Sequence, residues 1–97
     1  MKVGVEGRRP SQYESKIVSP SVMTLTASYY SNRTAEVFVS VDGADIRFRV
    51  DGVNPSATEG HLVADGDSIT LRGYDMIENF RCIASAGASN IRVTYFV

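Results

Sequence analysis

The residues able to carry chemistry are few and scattered. His61 is the only histidine and Cys82 the only cysteine in 97 residues. A zinc site gathers about four nitrogen and sulfur ligands, and these two do not begin one. A catalytic histidine needs a nucleophile and an orienting acid within reach, and Gly60-His61-Leu62 offers neither. His61 therefore reads as a residue at a strand entrance, exposed or hydrogen-bonded. Cys82 lies in phase with Phe80 and Ala84, the pattern of a core-facing residue that acts as a small hydrophobe. No basic neighbour on that face would lower its pKa.

Five aspartates, Asp42, Asp45, Asp51, Asp65 and Asp67, gather near glycines. Calcium takes about six to eight oxygens, and Asp65-Gly66-Asp67 lacks the further Asx and distal Glu of an EF-hand loop. Paired carboxylates for glycosidic acid–base work would need a substrate cleft, which a chain this short rarely encloses. Turn chemistry is the plainer reading. No glycine cluster opens a helix to cradle phosphate, and Asn32-Arg33-Thr34 is a glycosylation sequon that matters only after secretion. The expectation is a non-enzyme with no catalytic residue, no cofactor and no metal.

What remains is contact. Arg47 and Arg49 alternate with Ile46, Phe48 and Val50, so both point away from an apolar face, and Arg81 and Arg92 extend that polar face. Arginine is enriched in interfaces. Together with Arg8, Arg9 and Lys16 near the start of the chain, Arg47 and Arg49 form the candidate partner-binding set. The charge balance argues against nucleic acid as a partner: Lys+Arg number 10 against Asp+Glu 11, for a net charge of −1, without the basic excess such binding wants. Tyr13, Tyr29 and Tyr30 are the available stacking platforms.

These residues must be positioned by one small domain. Its 43% hydrophobic and 22% charged content fits an ordinary globule. No apolar run approaches the roughly 18 residues of a membrane helix, and the first residues lack the apolar core of a signal peptide. Residues 1–20 hold Gly4, Gly7, Pro10 and Pro20 without sustained periodicity and carry +2, leaving −3 for the remainder. They read as an extended arm ordered by contact with something else, and residues 21–97 as the folded body.

In the body the signal is period two. Val22 to Ala27, Ala35 to Val41, Ile46 to Val50, Ser68 to Arg72, Phe80 to Ala84 and Ile91 to Val97 are short β-branched or aromatic runs. Asp42-Gly43, Asp51-Gly52 and Asp65-Gly66 are turn dipeptides, Asp42-Gly43 being the best hairpin candidate. Residues 51–60 form a loop, and Tyr74 to Asn79 is the one helical turn. Six or seven short strands predict an all-β fold: a small jelly-roll-like sandwich or compact barrel. The closing strand, with Arg92 its one charge, is expected to be ordered. It would leave an apolar edge exposed unless built into a sheet or an interface, which favours self-association or docking on a larger body.

One stretch carries a resemblance. Asp45-Ile46-Arg47-Phe48-Arg49-Val50-Asp51-Gly52 leads to Asn54-Pro55-Ser56, then Gly60-His61 and Asp65-Gly66-Asp67-Ser68-Ile69. Ile77-Glu78-Asn79-Phe80-Arg81-Cys82-Ile83 follows, with Val93-Thr94-Tyr95-Phe96 closing the series. Over residues 34–97 this pattern resembles small β-rich structural proteins of tailed bacteriophages. The resemblance implies a virion component, a capsid decoration or cement protein or a head–tail accessory. Its partners would be the major capsid protein or other virion proteins, and a homo-oligomer is expected. It would reside in the host cytoplasm before assembly and in the virion afterwards. The alternative is a soluble carbohydrate- or ligand-binding sandwich using Tyr29, Tyr30 and Tyr74, weakened by the absence of tryptophan. A cupin-like enzyme would want several histidines.

Overall fold

The structure, a computed structural model, describes residues 9–97. Eight strands follow in chain order: β1 (Pro10–Val18), β2 (Met23–Thr24), β3 (Glu36–Asp42), β4 (Ile46–Arg49), β5 (His61–Val63), β6 (Ser68–Arg72), β7 (Arg81–Ala84) and β8 (Ser89–Phe96). A single helical turn, α1 (Tyr74–Asn79), sits where the sequence places it, between β6 and β7. The strands form two four-stranded antiparallel sheets, β1-β8-β3-β6 and β2-β7-β4-β5. That interleaved order is an eight-stranded jelly roll, a sandwich of two Greek keys with open edges rather than a closed barrel.

The period-two residues explain the layering. Val37, Val39 and Val41 of β3 and Ile91, Val93 and Tyr95 of β8 are all buried, facing inward from the first sheet. Ile46, Val63, Cys82 and Ala84 face them from the second. Each valine or isoleucine among them contributes about 1.5–3 kcal/mol by leaving water. Phe80, directly after α1, and Ile77 within it are fully buried and close one end of the core.

Asp42-Gly43 does not make the expected hairpin. β3 pairs with β6 and β8, while β4 pairs with β5 and β7, so the dipeptide carries the chain from one sheet to the other. Both flanking strands have an apolar face to bury, and two faces can oppose each other only if the strands lie in different sheets. Asp65-Gly66 carries the chain back, and the two corners are stitched together. Gly43 N–H donates to Asp65 Oδ1 at 2.8 Å, Asp65 N–H donates to Asp45 Oδ1 at 2.8 Å, and Gly66 N–H donates to Val41 O at 2.9 Å. The buried Ser89 hydroxyl completes the corner by donating to Ala44 O at 2.6 Å.

Three further expectations need correction. The run from Val22 to Ala27 gives only two strand residues, then a 3-10 turn over Ala27–Tyr29. Residues 10–18 of the expected arm are extended, but as the edge strand of the body's own first sheet, paired with β8 from Pro10↔Phe96 to Val18↔Ser89. Residues 1–8, Arg8 among them, lie outside the described residues. Lastly, β8 is ordered, yet it lies between β1 and β3. Its edges are filled from within the chain, so the argument for self-association through that strand falls.

Candidate functional site

The outer face of the second sheet gathers the arginines singled out in the sequence. Arg49 is paired with Arg81 across β4 and β7, and Arg47 with Leu62 across β4 and β5. Arg92 is not among them, because β8 belongs to the other sheet. Each guanidinium is turned onto the loop 51–60. Arg47 donates from Nε to Ala57 O at 3.1 Å and from Nη1 to Gly60 O at 2.9 Å. Arg49 grips Asp51 with two parallel bonds, 3.0 and 2.5 Å, and Arg81 donates to Asn54 Oδ1 at 2.6 Å. The grip holds the Asp51 carboxyl down at about 2 and raises Arg49 above its ordinary value, in both cases chiefly through that hydrogen bond.

The loop is shaped to receive them. Pro55 is buried beneath it, and Ser56 Oγ accepts from Glu59 N–H at 3.0 Å to tighten its tip. Gly60 has φ +132°, and a Cβ there would stand 3.1 Å from Phe48 O and from Pro55 Cβ. Between loop and strand lies a surface depression of about 430 Å³ lined by Arg49, Val50, Asp51, Glu59, Gly60 and His61. His61 is exposed there, its ring 5.3 Å from Phe48.

Lys16 is also committed within the chain. It points into the seam between β1 and the segment after β2, donating to Thr24 O at 3.1 Å and Thr26 Oγ1 at 3.0 Å. Glu14, on the same face of β1, accepts from Thr26 Oγ1 at 2.6 Å and from the Tyr95 hydroxyl. Burial raises the Tyr95 phenol well above its ordinary value, and Glu14 adds to the rise. Around Tyr95 the structure assembles the tyrosines named as ligand-stacking candidates. Tyr30 stacks on Tyr95 at 6.5 Å, Tyr29 meets it edge-on at 5.9 Å, and Tyr74 leans on Tyr30 at 6.2 Å. All three are half-buried; their rings pack on one another instead of facing solvent.

The outer face of the first sheet differs. Its pairings put Tyr13, Thr94, Phe38 and Thr70 in one row across all four strands, with Ser15, Arg92, Ser40 and Ser68 in the next. Ile17, Asn90 and Asp42 form a third. Tyr13 is 58% and Ile17 73% exposed, Phe38 is half-buried, and the residues between are mostly short hydroxyls. Arg92 reaches Asp42 at 3.5 Å on this face, both groups largely in water. Arg9 is exposed at the margin, its backbone exchanging hydrogen bonds with Val97.

Sequence reasoning missed this face because β1 inverts the usual rule. Its inward residues are Glu14, Lys16 and Val18, and its outward ones Tyr13, Ser15 and Ile17. The alternation is present in the sequence, but polarity runs opposite to burial. Cys82 is buried as expected, and burial pushes its thiol up to about 12, which leaves it protonated and inert. Among the described residues no cluster of three His, Cys, Asp or Glu could hold a metal ion, and no helix is long and apolar enough to cross a membrane. Asp45, Asp51 and Asp65 accept backbone N–H groups at turns. Compared with family models, curated proteins and solved structures, the chain has no match.

Proposed function

We propose that this chain is a non-enzymatic structural protein of a bacteriophage particle, a capsid decoration or head–tail accessory that docks on the particle through the outer face of its first sheet. The observation that carries the reading is the strip of Tyr13, Ile17 and Phe38 on a mostly uncharged four-stranded face. An exposed apolar patch with a polar rim is how surfaces that bind other proteins are built. A jelly roll is a frame used in capsid and lectin domains alike, so the frame alone does not choose between them. The resemblance of residues 34–97 to virion proteins supports the first. The tyrosines on which a carbohydrate-binding module would depend are packed among themselves, which disfavours the second.

In this reading the body is rigid. The corners are stitched by Asp45, Asp65 and Ser89, and the loop 51–60 is clamped by arginine. A face so supported loses little freedom on docking, which favours affinity. The partners are the major capsid protein or another virion protein, reached after synthesis in the host cytoplasm.

Peptide mass spectrometry of gradient-purified particles tests the proposal. A copy number comparable to that of the major capsid protein marks decoration, and a few copies per particle mark a neck or tail part. Absence from clean particles overturns the virion reading and promotes the ligand-binding module.

A further inference from the structure

The geometry points to a second copy of this chain as the occupant of the outer edge of β1, which no described strand covers: two copies pair antiparallel through β1, about a two-fold axis at Ser15. This goes beyond the virion reading and does not rest on it.

The four sheet edges are unequal. β2, β5 and β6 are two, three and five residues long, whereas β1 runs for nine. Proteins guard an exposed edge by keeping it short or by placing charge or proline on it. The outward positions Tyr13, Ser15 and Ile17 carry no charge, and Pro10 stands only at the strand's beginning. Both charged side chains within the strand, Glu14 and Lys16, turn inward.

Backbone direction fixes which peptide groups are free. Phe96 O accepts from Ala35 N–H, on the β3 side of β8. Alternation then aims Val93, Ile91 and Ser89 at β1, where they meet Glu14, Lys16 and Val18. The N–H and C=O groups of Tyr13, Ser15 and Ile17 therefore point along the sheet to the open edge. They are the groups an added strand would use.

Tyr13-Glu14-Ser15-Lys16-Ile17 is self-complementary in the antiparallel sense. With Ser15 opposite the second copy's Ser15, each Tyr13 faces an Ile17 and each Glu14 faces a Lys16. Aromatic–aliphatic cross-strand pairs are a stabilising kind, and this register sets no like charges opposite each other. A slip by one residue would set peptide groups of the wrong direction against each other, and a slip by two would break the Tyr–Ile and Glu–Lys matches. The product is one continuous eight-stranded sheet with a doubled outer face and an isologous interface.

The test uses the full chain. Sedimentation equilibrium at roughly 100 μM, a concentration suited to a small interface, should report twice the 10.6 kDa chain mass. Ser15→Cys should then form an intermolecular disulfide under mild oxidation, because directly opposed residues have Cα atoms about 5.5 Å apart, within disulfide reach. Tyr13→Cys should not, since two copies of that residue would lie more than about 13 Å apart along the strands. A short bismaleimide should show the same preference, so strain in the disulfide does not decide the result. A monomer at that concentration overturns the proposal. So does a dimer in which position 13 links as readily as position 15, or in which neither links.

Discussion

The two outer faces of this sandwich use their side chains in opposite ways. On the second sheet Arg47, Arg49 and Arg81 form a polar face that looks ready for a partner, and every one is engaged by the loop 51–60. On the first sheet the residues that stand out are apolar, and Tyr13 and Ile17 meet no described part of the chain that buries them. A row of arginines is thus a poor guide to an interface when a ten-residue loop lies beside it, because the loop's own carbonyl, carboxylate and amide oxygens accept from them. Exposed apolar residues on an edge strand have no such internal use. In the proposed reading, the difference separates residues that build the body from residues left for contact.

The largest effect expected from breaking this contrast is at Gly60. Gly60→Val places a branched side chain at φ +132°, against Phe48 O and Pro55. It should cost about 3 kcal/mol and lower Tm by about 12 °C or more, as read by calorimetry. On the other face, Tyr13→Ser combined with Ile17→Ser should leave Tm within a few degrees, as surface changes do (within about 0.5 kcal/mol each). The same pair should weaken binding to particles by about 30-fold, as expected for interface anchors, measured by co-sedimentation.

Much of the fold is legible in the sequence. Alternation in β3, β4 and β8 declares strands, the Asp-Gly pairs declare turns, and Tyr74 to Asn79 is recognisable as the α-helical turn. Which strands pair is not legible. Asp42-Gly43 looks like a hairpin turn because dipeptide chemistry is local, whereas the change of sheet is decided by the facing cores of β3 and β4. The proposed contact surface is harder still. β1 turns its charges inward to a seam formed with Thr24, Thr26 and Tyr95, contacts that no local pattern displays, so its sequence reads as a polar arm. Alternation places Arg47 and Arg49 on one face, which Arg81 shares and Arg92, in the other sheet, does not, and their partners lie in a loop whose shape the sequence does not display.

Smaller effects sharpen the comparison. Arg47→Ala removes two charged donors from loop carbonyls and should destabilise by about 1–2 kcal/mol, with faster hydrogen exchange confined to residues 51–60. Particle binding by this variant should be unchanged, the reverse of the Tyr13/Ile17 pair. Acid should act more gently. Asp51 has its folded pKa lowered from 3.8 to about 2, so its contact with Arg49 is complete above about pH 4 and is lost as pH falls toward 2. Both groups face water, so NMR should show local change at Asp51 and Val53 without global unfolding.

The central claim is that the first sheet's face docks and the second sheet's face does not. Hydroxyl-radical footprinting of the chain, free and bound to purified particles, compares them directly, because each carries exposed reporters: Tyr13 and Ile17 on one, Leu62 with Val53 in the adjoining loop on the other. The account predicts that binding slows oxidation of Tyr13, Ile17 and Phe38 while Leu62 and Val53 keep their free rates. Protection of Leu62 and Val53 with Tyr13 and Ile17 unchanged would contradict it.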